Sequence, residues 1–337
     1  MEWFERVAGF KEAGYAETQS RLLAVDGKLR NPSSGLVWSM GTLETPTLRD
    51  LRTRTRHLHS GSQKSEIRCI SADVRDLHAR NESRHALFQV ASQFNLLEMI
   101  GPHVAPEDGV TRYASDKTQG PACAISAGAA TIYRNYLVHV NGRIGQGSGD
   151  QIDCLQDIGH ALGNDAADLW RMRNGYALCT ADGLGKINQT LAQMGDAEKD
   201  DLRQRLRVGL HWDVDVTDTQ LPGHRVSQIF CSALPVAYSG LAEGKWAGFA
   251  TLVLEAAYEA TLLAAVENSV KFGNRTVYLT RLGGGAFGNC STWIHAAISR
   301  AVREVPAVSR AGLDVCLVTF GSVDRELQQL VSSLRSN

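Results

Sequence analysis

Residues 277–289, VYLTRLGGGAFGN, constrain the chain more than any other stretch. The apolar opening, rich in valine, tyrosine, leucine and threonine, predicts a strand. Three glycines and an Ala-Phe-Gly-Asn turn follow at once, and residues 291–302, STWIHAAISRAV, then read as a helix opened by residues able to cap it. Strand, tight loop and helix start in that order belong to an α/β sheet. Glycines let backbone N–H groups come close to a ligand, and a helix N-terminus adds more of them, so the stretch offers a cradle for an anion such as phosphate. A plain strand-to-helix turn is the other reading. Neither GxxxxGK[ST] nor G-x-G-x-x-G is present, so neither common phosphate fingerprint applies.

The chain has 337 residues, enough for a sizeable core, and its 35 basic and 36 acidic side chains nearly cancel. No global charge therefore draws it to nucleic acid or to a membrane surface. The basic run at residues 49–59, RDLRTRTRHLH, is interrupted by leucines and an aspartate and reads as a solvated helix face. Seven cysteines (Cys69, Cys123, Cys154, Cys179, Cys231, Cys290 and Cys316) are odd in number, scattered, and free of any CxxC spacing. They predict reduced thiols in a cytoplasmic protein and no zinc site. The N-terminus lacks an apolar run of signal-peptide length, and the most apolar helical stretch, residues 249–265, carries Glu255 and Glu259.

Residues 1–65 read as an accessory N-terminal extension, helical over 2–23, with a turn at 31–35, a short strand within 35–45 and a helix after Pro46. From Glu66 the texture becomes α/β. Residues 67–70 form a strand-like run ending in Ser71-Ala72-Asp73-Val74, and residues 86–91 form another ending in Ser92-Gln93-Phe94-Asn95. Ligands of such sheets sit beyond the carboxyl ends of the strands. Thr118 and Gln119 then stand at the entrance of a small-residue helix beginning Gly120-Pro121. Tight core packing and close approach to a ligand both explain it. Residues 141–150 suggest a hairpin or mobile loop, and residues 151–207 read as mainly helical, with breaks around Gly175 and at residues 181–185.

Residues 208–218, VGLHWDVDVTD, form a second informative strand. Alternation puts His211, Asp213 and Asp215 on one face and Trp212, Val214 and Val216 on the other. Two aspartates side by side need a cation, a ligand hydroxyl pair or an arginine between them, unless the strand is a solvent-facing edge. Residues 226–235 add a strand, residues 246–268 a long helix whose apolar stripe is core, residues 313–320 a buried strand and residues 324–334 a charged terminal helix.

This order of elements resembles a macrodomain over residues 66–322, most specifically in FQVASQFN, DKTQGPACAISAG, HWDVDVTD and LGGGAFGN. The resemblance implies a three-layer α/β/α sandwich with a mixed central sheet at residues 66–337, interrupted by a helical insertion at about 143–205. It further implies that ADP-ribose is bound. Asp73 would hold the adenine amino group, with Val74 offering backbone, and Phe320 would pack by the adenine. Gln93 and Asn95 would lie near the distal ribose. Gly283, Gly284, Gly285, Ala286, Phe287, Gly288 and Asn289 would cradle the diphosphate, aided by Thr118, Gln119 and Gly120. The chain looks most like macrodomain hydrolases of bacterial effectors and some eukaryotes that remove ADP-ribose from arginine of a modified protein. One departure is that residues 108–120 replace the family's glycine-rich catalytic loop. Asp213, Asp215 and Asp218 are then the expected catalytic carboxylates, one pairing with the guanidinium and another orienting water, around an oxocarbenium-like transition state. This scheme requires no cofactor, although Mg²⁺ suits such carboxylate ligands. A module that binds ADP-ribose without cleaving it, and a hydrolase of a small ADP-ribose derivative, are the alternatives.

Overall fold

Seven strands pair into one sheet in the computed structural model, which describes residues 1–58, 65–305 and 311–335; His59, the end of the basic run, lies outside them. In chain order they are β1 (Thr42–Glu44), β2 (Glu66–Ser71), β3 (Leu87–Ala91), β4 (Gly209–Asp215), β5 (Arg225–Cys231), β6 (Thr276–Leu279) and β7 (Asp314–Thr319). Across the sheet they run β1-β4-β5-β3-β6-β7-β2. The five from β5 to β2 are parallel, whereas β4 is antiparallel to both β5 and β1. The inner parallel strands β3 and β5 are buried on both faces, which is why LFQVA and VSQIFC read as runs with little alternation.

Six helices matter for the site: α1 (Leu48–Thr55), α2 (Val74–Ala79), α3 (Gln119–Ser126), α4 (Ala247–Phe272), α5 (Ser291–Glu304) and α6 (Arg325–Arg335). Successive residues of β3 show that they cover opposite faces. Phe88 stacks on His78 of α2 with ring centroids 3.7 Å apart, while Gln89 donates to Thr261 of α4 at 2.9 Å. On β5, Gln228 likewise donates to Cys123 O of α3 at 2.9 Å, and Cys231 reaches Thr261 at 3.5 Å. The fold is thus the three-layer mixed α/β arrangement expected.

Helix α4 is long and apolar enough to cross a membrane by length and composition, yet 89% of its most apolar window is buried inside the protein. It is the central core helix, apolar on nearly every side rather than along one stripe. Its buried Glu259 is neutralised by Arg52 of α1 at 2.5 Å and Arg300 of α5 at 2.7 Å, a cluster that ties three helices together.

Residues 1–65 are interleaved with the sheet. They supply its edge strand β1, and α1 packs against α4. In place of continuous helix over 2–23 there are two short helices, Trp3–Ala8 and Tyr15–Ser20, the first stopped by Gly9 in the left-handed region at φ 80°. Phe4 and Val7 share a second core with Leu97, Ile125, Ile132 and Tyr136. Residues 151–207 are less helical than expected, because Trp170–Arg173 and Tyr176–Cys179 pair as a hairpin. Its turn is Asn174-Gly175, at φ 48° and 79°, a two-residue Asn-Gly connection that suits strand twist. The expected break at residues 181–185 is instead the start of a helix, Ala181–Gln193, capped by Thr180. All seven cysteines are free, five of them buried.

Candidate functional site

The sheet opens where β3 and β6 part. They pair only through Leu87 and Phe88. Beyond that point the side-chain amide of Gln119 takes the missing strand's place, accepting from Ala91 N at 2.9 Å and donating to Gln89 O at 2.7 Å. Above this gap, at the carboxyl ends of the parallel strands, lies a cleft of about 830 Å³. Residues 91–93, 98–100, 115–121, 280–287 and 318–320 line it, together with Tyr176, Ala233 and Tyr238.

One wall is the start of α3, whose first-turn N–H groups have no helical acceptor. Gly120 is required there: a Cβ would stand 2.1 Å from Ala91 O and 2.3 Å from Glu98 Oε2. The facing wall is the glycine loop. Tyr258 of α4 anchors its base, donating to Thr280 O at 2.7 Å and accepting from Leu282 N at 2.9 Å. Asn289 N closes it onto Gly283 O at 2.9 Å. Gly283 and Gly288 both sit at φ 72° against neighbours that leave no room for a side chain, whereas Gly285 faces open space. The N–H groups of Gly284 and Gly288 are used inside the loop. Those of Gly285, Ala286 and Phe287 have no acceptor among the described residues, which leaves them free to donate to a ligand.

Between the walls lies Glu98, only 3% exposed, with Oε1 buried and unpartnered among the described residues. Burial pushes its carboxyl well above the usual range, and the charge of Arg134 only partly offsets this. The backbone around it is held on all sides. Glu98 N donates to Tyr113 Oη at 2.9 Å, Met99 N to Gln93 Oε1 at 2.9 Å, and Tyr176 Oη to Met99 O at 2.7 Å. Tyr176 belongs to the inserted hairpin and meets Tyr238 and Phe287 at centroid distances of 5.1 and 5.2 Å, an aromatic wall for that end of the cleft. At the other end Phe320 is 88% exposed.

Of the residues singled out from sequence, Gln93, Thr118, Gln119, Gly120, Gly283, Gly284, Gly285, Ala286, Phe287 and Phe320 come together in this cleft. Asp73, Val74, Asn95, Gly288 and Asn289 do not line it. Asp73 caps α2, its Oδ1 accepting from Arg75 N at 2.8 Å, and stands beside the Phe320 end because Ala72 N donates to Thr319 O at 3.0 Å. Val74 is buried behind it. Asn95 is fully buried, accepting from Leu97 N at 3.1 Å and donating to Gln151 at 2.8 Å. Asn289 is a clasp, donating to Leu234 O at 2.9 Å.

Asp213, Asp215 and Asp218 also lie outside the cleft lining. Because β4 runs antiparallel, Asp215 pairs with Arg225 at the start of β5, while Cys231 at its other end adjoins the cleft. Six residue steps along the strand separate those ends, about 20 Å. A bulge between His211 and Val214, with Asp213 at φ 53°, also breaks the simple alternation. The compensating group is an arginine: Arg225 bonds Asp213 at 2.8 Å and Asp215 at 2.9 Å. Asp218 is held by Arg6 at 2.9 Å and by Arg75. Among the described residues no cluster of three or more His, Cys, Asp or Glu is placed to hold a metal ion. Glu98 is the cleft residue that sequence reasoning missed; its signal is a single acid inside the apolar run LLEMI, seven residues past the end of β3.

No family model matches the chain, and no curated protein does. Among solved structures it is similar to the poly(ADP-ribose) glycohydrolase of Thermomonospora curvata, at 13% identity over 98% of each chain with a TM-score of 0.47. The inhibitor-bound form of that enzyme, with ADP-HPD, gives 12% identity over 99% of this chain and 98% of that one, and a TM-score of 0.45. The poly(ADP-ribose) glycohydrolase of Deinococcus radiodurans in complex with ADP-ribose gives 13% identity over 88% and 92%, and a TM-score of 0.42. At these values the likeness is one of chain course, and it assigns no residue a role.

Proposed function

We propose that the chain is a glycohydrolase that binds ADP-ribose and releases it from a modified protein side chain, with Glu98 as the proton-transferring carboxyl. The observation that carries this reading is a buried carboxyl, its Oε1 without a partner among the described residues, between two sets of free backbone N–H groups. The diphosphate lies between the N–H groups of Gly285, Ala286 and Phe287 and the start of α3 at Gly120. The adenine rests by Phe320, its amino group toward Asp73 Oδ2. The distal ribose then points to Glu98 and the wall of Tyr176, Tyr238 and Phe287.

A carboxyl whose burial raises its value well above the usual carboxylate range can give its proton to the leaving group as the bond to the anomeric carbon breaks. The resulting carboxylate stabilises the oxocarbenium-like centre and then takes a proton from the attacking water. The finer proposal is that the leaving group is arginine. Glu98 and Asp116 both line the cleft, and two acids complement a guanidinium better than a neutral or anionic leaving group.

The test is to offer the protein substrates ADP-ribosylated on arginine, serine or glutamate, and poly(ADP-ribose), and to follow release of ADP-ribose. Release from arginine is expected, reduced roughly 100- to 10,000-fold by Glu98→Gln, which keeps ADP-ribose binding in calorimetry. Binding without release from any substrate would make the chain a binding module, and absence of both would overturn the reading.

A further inference from the structure

Arg134, in the wide turn Tyr133–Leu137, is fully buried, yet no carboxylate oxygen lies within 4.0 Å of its guanidinium among the described residues. A buried charge without an ion pair is costly, so the fold must gain from it elsewhere. Its nitrogens are nonetheless all engaged. Nε donates to Leu96 O at 3.1 Å, Nη2 to Thr131 Oγ1 at 3.0 Å, and Nη1 to His211 Nδ1 at 3.2 Å. The guanidinium also lies 3.8 Å over the ring of Phe230. The imidazole is neutral, since burial and the arginine hold its value well below the ordinary one.

Two of these facts bear on Glu98. Leu96 sits in the left-handed region at φ 64°, unusual for a side chain of its size, and its carbonyl is the one that Arg134 grips. The chain leaves that strained residue and two positions later delivers Glu98 into the cleft. The second fact is charge. Facing Glu98 are Tyr113 from the turn Thr111–Ser115, Asp116 before α3, Cys123 of α3 and Tyr176 of the hairpin. None of them is cationic, and Asp116 repels the carboxylate. Lys117 and Arg281 line the cleft but are exposed, and Arg281 is paired with Asp324 at 2.7 Å. Arg134 is the buried cation that acts on Glu98.

We propose that Arg134 is the positioning residue for Glu98: its grip on Leu96 O fixes the turn from which the carboxyl enters the cleft, and its charge lets that carboxyl release its proton. This rests on the reading of Glu98 given above. Burial lowers the arginine only to about 10, so the charge persists at neutral pH.

The experiment is a titration by carboxyl carbon nuclear magnetic resonance on protein labelled at glutamate Cδ, with the Glu98 signal assigned by its loss in Glu98→Gln. Arg134→Met removes a desolvated charge for an apolar chain of similar length and is expected to fold. In it the Glu98 midpoint should rise by about one pH unit or more, the size of effect an adjacent opposite charge gives. An unmoved midpoint overturns the proposal. Arg134→Lys keeps the charge and loses the bond to Leu96; it should leave the midpoint near wild type and lower kcat roughly 100-fold at unchanged KM, as for a misplacement of about an ångström. If Arg134→Met does not fold, this split decides, and an unchanged kcat in Arg134→Lys overturns the proposal. A wild-type protein that releases no ADP-ribose refutes the hydrolase reading instead, and the titration still decides the coupling.

Discussion

Glu98 couples folding to pH in a direction that can be stated in advance. An ordinary glutamate ionises near pH 4.3, whereas burial raises the folded value well above that. Below the unfolded value both states hold the proton and the group's contribution is whole. Between the two values the unfolded chain has lost a proton that the folded chain keeps, so stability falls by about 1.4 kcal/mol per pH unit from this group alone. Glu98→Gln cannot ionise. Urea unfolding over a pH series should therefore show the variant gaining on wild type as pH rises above about 4.3, and parallel curves would show that the carboxyl is not buried as described. The aspartates of β4 are held in place by Arg225, with Ser39 N donating to Asp215 at 2.6 Å. Asp215→Ala is expected to leave turnover within about twofold of wild type while costing about 1–3 kcal/mol in unfolding, since it strands a charged hydrogen-bond partner. A loss of turnover at full stability would return catalysis to that strand.

The glycine loop separates two uses of one residue type. Gly283 stands at φ 72° with a would-be Cβ 2.4 Å from Ala233 Cβ and 2.7 Å from Asn289 Nδ2, whereas nothing stands within 4 Å of Gly285. Gly283→Ala should cost about 1–3 kcal/mol from strain and overpacking. Gly285→Ala should stay within about 0.5 kcal/mol of wild type in thermal unfolding and yet weaken ADP-ribose binding, because its methyl group enters the space where the diphosphate rests. Equal stability of the two variants would mean that the loop does not have this shape. Residues 277–289 thus carried a legible strand, turn and helix start, since propensity and glycine content are local. Which glycines hold the loop and which face the ligand was not legible, because Ala233 and Ile294 decide it from other elements. The same holds for β4: the strand was readable in VGLHWDVDVTD, but not its direction, which its pairing with β1 and β5 sets.

At the scale of the molecule, the insertion at about 143–205 is built into the core. Cys154, Leu155, Ile158, Trp170 and Leu184 are buried with the sheet residues, and Trp170 meets Phe249 of α4 at 5.6 Å. Replacing residues 143–205 by a short linker is expected to abolish the cooperative thermal transition rather than yield a smaller domain, as followed by calorimetry; an intact transition would show the insertion to be a separate unit. The strands of the central sheet, the three-layer class, the glycine loop and the place of the cleft beyond the strand ends could be read from the amino-acid sequence, whereas the hairpin within residues 151–207 and the two short N-terminal helices could not. The former follow from neighbours in the chain and from the general geometry of α/β sheets. The burial of Glu98 in that cleft could not be read, because burial is conferred by distant residues. Arg134 comes 36 positions after Glu98, and the Asp215 bond to Ser39 spans 176. Only the tertiary structure decided that the aspartates of β4 are held by an arginine at the end of the strand away from the cleft, and that Glu98, 3% exposed, lines the cleft itself.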